Sequence, residues 1–233
     1  MEAPGPETAD DLDPAAASAD GPELGRGPYD AGDSYPDIPR VDLGSLLVPV
    51  TPDYEIQLVL AEQQGAWVLV RHGGSELQLQ AFAAPRRESV WDEVREGIVG
   101  ELEGVGGRSE EREGSFGTEL LVQVPAQPGQ PGAGIVPVRF AGVDGPRWFL
   151  RCLFQGPASI DPAAAAPLEA VVREVVVVRG DHPMPPKDLL ELRLPAEAQQ
   201  AMAEQQAKAA EEQNQQPSEF NPFERGPEIT ETR

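Results

Sequence analysis

Residues 135–154 read IVPVRFAGVDGPRWFLRCLF, and the fold follows from them. Asp144-Gly145 is the strongest hairpin signal in the chain, because a tight primed turn needs left-handed backbone that these two residue types tolerate. Apolar, β-branched and aromatic runs flank it, Ile135 to Val143 before and Arg147 to Phe154 after. Both runs are expected to be strands, paired antiparallel across the turn.

Reading upstream, GTELLVQV (117–124) has strand composition and is joined to residue 135 by a Gly/Pro loop, PAQPGQPGAG (125–134). Before it, Val90, Trp91, Val94, Ile98, Leu102 and Val105 recur at helical spacing. Ser89 is the expected N-cap, with Asp92 three residues on completing a capping box. Gly104, Gly106 and Gly107 end that helix. Further upstream, ELQLQAF (76–82) alternates strictly, with Leu77, Leu79 and Ala81 on one side and Gln78, Gln80 and Phe82 on the other. AWVLVR (66–71) and residues 54–62 precede it as a hairpin turning at Gln63-Gln64-Gly65. Residues 46–50 form a short extended run. Pro49 and Pro52 lack an N–H, so that run is expected to be an edge or an entry strand.

Reading downstream, Asp161-Pro162 starts a second helix, an Asp N-cap followed by Pro at the first helical position. Leu168, Val171, Val172 and Val175 should face inward, and the β-branched run EVVVVR (174–179) should turn extended. Leu189 to Leu194 is a last short extended segment. The order is three strands, helix, three strands, helix. Hairpin links predict a mainly antiparallel sheet with helices packed on it, an α+β fold in βββαβββα order.

The ends differ from this body. Residues 1–37 hold ten acids and one arginine, and 196–233 hold eight acids and three bases, within a 233-residue chain of net charge −22. The first segment lacks the aliphatics needed to offset its ordering entropy and is expected to be a disordered acidic tail. The domain is placed at 38–195. The tail 196–233 is Ala/Gln/Glu-rich. Its only sizeable apolar residues near the end, Phe220, Phe223 and Ile229, suggest a short interaction segment; the match of Asn221-Pro222-Phe223 to an endocytic-type ligand tripeptide is read as chance.

Composition excludes several functions. No apolar run approaches the roughly 20 residues of a spanning helix, so no membrane insertion is expected. The acidic N-terminus is unlike a secretory signal, and a cytoplasmic protein is expected. A charge this negative repels phosphate, which argues against nucleic acid. The lone Cys152 rules out a disulfide scaffold.

Chemistry-bearing groups are sparse. His72 and His182 stand on separate loops with no cysteine beside them, so no metal is expected. Cys152 sits in an apolar strand and reads as a small buried residue. Ser45 and Ser115 lie near glycines without a nucleophile elbow. Gly104 to Gly107 and Gly142 to Gly145 match no phosphate loop. Glu101/Glu103 and Glu110/Glu111 are pairs that an acidic composition supplies without special environment. No catalytic residue and no cofactor is predicted. Arginines do occur inside or beside strands, at Arg71, Arg139, Arg147, Arg151 and Arg179. If Gln78, Gln80 and Arg151 share one exposed sheet face, they form a polar recognition patch.

Several strings then bear comparison with a known family. IPRVDLGSLLVPV, LQLQAFAAPR with WDEVR, FGTEL, VRFAGVDGPRWFLR, DPAAAAPLEAVVREVVVVRG and MPPKDLLELRLP, in that order, resemble the actinobacterial "domain of unknown function 3710" family over residues 38–195. The ending FNPFERGPEITE is similar too. The resemblance implies a small acidic cytoplasmic protein and brings no activity, cofactor or catalytic residue with it. By fold-level analogy alone, the element order also resembles the Mog1/PsbP-like sandwich.

Two functions fit these readings. The first is a non-enzymatic cytoplasmic protein-interaction or adaptor module, its rigid body flanked by tails and its partner an unknown protein. The alternative is a carrier of a small-molecule or lipid-like ligand, using a pocket between sheet and helices near Trp91, Trp148 and Phe116. A hydrolase acting through Cys152 or Ser115 is a distant third.

Overall fold

The computed structural model describes residues 26–61, 65–86, 88–125, 135–195 and 198–200. Its strands begin with β1 (Tyr29–Asp30), β2 (Arg40–Asp42), β3 (Leu46–Pro49), β4 (Glu55–Ala61), β5 (Gly65–His72) and β6 (Ser75–Ala83). Helix α1 (Trp91–Val105) follows, then β7 (Arg108–Gly114), β8 (Gly117–Pro125), β9 (Ile135–Asp144) and β10 (Trp148–Gln155). A 3-10 turn (Gly156–Ser159), helix α2 (Pro162–Glu174) and β11 (Val176–Val177) complete it.

The fold is α+β, with a seven-stranded antiparallel sheet in the order β4-β5-β6-β10-β9-β8-β7. The hairpin at Asp144 pairs β9 with β10, Leu150 opposite Val143 and Cys152 opposite Ala141. β10 then runs beside β6, setting Cys152 against Leu79 and Arg151 against Gln80. Period-two alternation does the rest. Leu77, Leu79, Ala81 and Ala83 of β6 join Trp148, Leu150, Cys152 and Phe154 of β10 in one core. Leu168, Val171 and Val172 of α2 close over that face, together with Leu46 and Val48 of β3. On the opposite face α1 lays Trp91, Ile98 and Leu102 against Phe149, Phe140, Leu120 and Val122.

Four expectations are corrected. Residues 26–37 are not all tail: β1 lies in a second, four-stranded sheet of order β1-β11-β3-β2, paired in parallel with β11. Asp30 also accepts a hydrogen bond from the Trp148 indole N–H (2.7 Å), which fastens this stretch to the domain. β3 is an interior strand of that sheet, and its proline is tolerated because Pro49 is the strand's last residue. β7, RSEEREG, was not expected as a strand, since five of its seven residues are charged. Hairpin pairing with β8 supplies the ladder that its composition does not suggest. Finally, Ser89 does not cap α1. The N-cap is Val90, and Asp144 of the central hairpin does the capping work. Its carboxylate accepts from the Val90 N–H (2.9 Å) and from the Ser89 hydroxyl (2.7 Å).

α2 is as expected. Asp161 accepts from the Ala163 N–H (2.9 Å), Pro162 follows it, and the chain turns extended after Glu174. Among the described residues no helix is long and apolar enough to cross a membrane. The expected acidic tail before residue 26, the turn residues Gln63 and Gln64, the loop 126–134, and Phe220, Phe223 and Ile229 lie outside the described residues.

Candidate functional site

α1 covers the β8-β9 end of its sheet face and leaves the β5-β6 end open. Between helix and sheet runs a groove of about 440 Å³. Its walls are apolar: Trp67 of β5, Ile98 and Leu102 of α1, Val138 and Phe140 of β9, and Leu153 of β10. Its polar groups are Gln78, Gln80, Gln155 and Arg151, with Glu101 on the helix side. The register brings them together, since Arg151 pairs with Gln80 and Leu153 with Gln78 across β10 and β6.

The two amides are largely used inside the protein. Gln78 donates to the Gln155 side chain (3.3 Å), and Gln80 donates to the Ala66 carbonyl (3.2 Å). The Gln80 carbonyl oxygen accepts from one Nη of Arg151. Arg151 is thereby held in place, and its guanidinium lies 5.3 Å over the Phe82 ring. Phe82 stacks on Phe149 (6.1 Å) and Phe149 on Trp91 (6.0 Å). Trp91 is itself pinned by its indole N–H to the Thr118 carbonyl (2.6 Å). This column needs Gly142 beneath it. A methyl group there would overlap the Trp91 ring. Burial pulls the Arg151 pKa below its ordinary value, and the Glu101 charge opposes that shift. No carboxylate among the described residues is within ion-pair distance of Arg151. A guanidinium on an apolar floor can take a carboxylate or a phosphate by two parallel bonds.

The opposite sheet face carries a second polar constellation that sequence reading missed as a unit. One Nη of Arg139 donates to both Glu119 (2.9 Å) and Glu169 (2.8 Å), and all three side chains are buried. Glu169 also accepts from the Ser115 hydroxyl (2.5 Å) and faces Arg173 at 3.6 Å. Burial alone would raise the Glu169 pKa, but Ser115, Arg139 and Arg173 outweigh it and hold the carboxyl below its ordinary value. Here the charges pair with one another through a single Nη, while Nε and the other Nη of Arg139 are buried without an acceptor among the described residues. The guanidinium also lies 4.0 Å over the Phe154 ring. A lone arginine in IVPVRFAGV and a lone glutamate in GTELLVQV were the visible signals; the helix residue that joins them was not.

The other sequence candidates separate. Trp91 and Trp148 do not share a pocket, because they lie on opposite faces of the sheet. Phe116 is on the Trp148 side, under Arg173. Cys152 is fully buried among aliphatics, and burial pushes its thiol pKa up, so it serves packing. His72 packs against Tyr54 at 5.2 Å.

A family model described as Protein of unknown function (DUF3710) matches residues 27–201. The chain belongs to this family. The DUF3710 match takes in β1 together with every element that builds the groove. No curated protein and no solved structure matches the chain, so the Mog1/PsbP comparison remains an analogy.

Proposed function

We propose that this DUF3710 domain binds a small amphipathic molecule in the groove under α1. The ligand's apolar body lies against Trp67, Leu102 and Phe140, and its acidic head lies on Arg151. The observation that carries this reading is Arg151 itself, a half-buried guanidinium on an apolar floor, with Gln80 its one side-chain hydrogen-bond partner among the described residues. The groove's volume of about 440 Å³ is within the usual range for small-molecule sites, which join apolar walls to a few convergent polar groups. The adaptor reading draws on the acidic ends, most of which lie outside the described residues. The groove favours the carrier, at a place other than the Trp91–Trp148 pocket first expected.

Calorimetric titration with dodecanoate and with dodecanol tests this. The acid should bind the full chain more tightly than the alcohol. Arg151→Met should weaken the acid by about tenfold or more, equivalent to about 1.4 kcal/mol, and leave the alcohol nearly unchanged. Glu101→Gln should tighten the acid a few-fold by removing a like charge. No heat from dodecanoate, or equal binding of it by wild type and Arg151→Met, would overturn the reading.

A further inference from the structure

The two outer strands of the large sheet are β4 and β7, and they are finished in opposite ways. An outer strand offers unpaired backbone N–H and C=O groups, and proteins blunt such edges with charge, proline, bulges or covering elements. β7 is blunted. Five of its seven residues are charged, Glu111 is tied to Arg95 of α1 (3.1 Å), and Arg112 donates to the Ser159 carbonyl (3.1 Å). Among the described residues β4, EIQLVLA, shows little of this. It carries one charge, at Glu55, has no proline, and pairs with β5 over its whole length without a bulge. Among the described residues β5 is its only strand partner, and Leu60 is 71 % exposed.

We infer that β4 is a homodimer edge, pairing antiparallel with β4 of a second copy about a two-fold axis at Leu58. The occupant follows from self-complementarity. Leu58 is the middle residue of the strand, so full-length pairing sets Leu58 opposite itself. Gln57 then meets Val59, Ile56 meets Leu60, and Glu55 meets Ala61. The strand's one charge therefore never faces its own copy. The same operation on β7 would centre on Glu111 and set it against itself, which cross-strand energetics penalise. The exposed Leu60 gains Ile56 as a cross-strand neighbour on one sheet face, and Val59 is covered on the other. An isologous contact of this kind closes on itself and cannot propagate. The dyad stands perpendicular to the sheet, so both Arg151 grooves open on the same side. The inference holds whatever the groove binds. Two chains of charge −22 repel each other, so the dimer strengthens as salt screens them.

Sedimentation velocity of the full chain across a micromolar concentration series tests the proposal. A reversible monomer–dimer equilibrium, shifted toward dimer by added salt, is expected. Gln57→Lys with Val59→Lys places like charges opposite across the dyad and should weaken dimerisation at least about tenfold. Gln57→Glu with Val59→Lys restores opposite pairs and should recover it. Circular dichroism and thermal melting establish that each variant is folded. As an independent readout, Gln57→Cys mixed with Val59→Cys should form the mixed disulfide on mild oxidation, while either alone should not. Cys152, buried with a raised thiol pKa, stays silent. A chain that is monomeric throughout, a dimer indifferent to both charge pairs, or cross-linking of each single variant with itself as readily as in the mixture would overturn the proposal.

Discussion

The two faces of the seven-stranded sheet are made by alternate residues of the same strands, yet they are completed differently. Toward α2 and the four-stranded sheet the face is more fully covered, and the charges it buries are paired: Arg139 holds Glu119 and Glu169 beside a smaller cavity of about 220 Å³. Toward α1 the face is half covered, and its arginine, Arg151, has a glutamine and an aromatic ring for neighbours, with no ion-paired carboxylate among the described residues. A closed face must neutralise what it buries, because an unpaired interior charge costs several kcal/mol. An open face can leave a charge unmatched because solvent, or a ligand, completes it.

The largest effect should come from treating the two arginines alike. Arg139→Met strands the buried Glu119 carboxylate and leaves Glu169 only Ser115 and Arg173, and should cost about 3–5 kcal/mol of unfolding free energy. Arg151→Met, on the open face, should change stability by less than about 1 kcal/mol. Denaturant unfolding of both variants measures this, and equal losses would break the comparison. The next effect concerns the column that positions Arg151. Gly142→Ala drives a methyl into the Trp91 ring and should cost about 1–3 kcal/mol by overpacking, with a shift in tryptophan fluorescence. An unchanged melting temperature would show that the column is not tightly packed. The smallest effect is read through pH. The Glu169 carboxyl is held below its ordinary value in the folded state, so its contribution is complete above that ordinary value and is lost as pH falls through the folded one. Stability of the wild type should drop on acidification, and Glu169→Gln should flatten part of that slope. A wild type and variant with parallel pH profiles would remove Glu169 from the account.

Much of this arrangement was legible beforehand, and the reasons are local. The Asp144-Gly145 turn, the Leu/Gln alternation of residues 76–82 and the Asp161-Pro162 start of α2 each depend on a few adjacent residues. The grouping of Gln78, Gln80 and Arg151 followed from alternation once their strands were neighbours. What escaped depends on partners distant in sequence. β7 is a strand because β8 is beside it. β1 is held by β11 and by Trp148, more than a hundred residues away. The start of α1 is capped from the hairpin by Asp144, not by the serine one residue before its N-cap.

Alternation, turn chemistry and capping motifs are properties of the chain itself, and from them came the antiparallel α+β body and the residue types that would share a face. Which face is more fully covered and which stays open was decided only in three dimensions. Helix α1 is anchored at one end by Asp144 and Trp91 over the β8-β9 side, and a helix of fixed width cannot also cover β5 and β6. That geometric shortfall makes the groove and exposes Arg151 within it. No local pattern of residues encodes where a rigid helix will stop short.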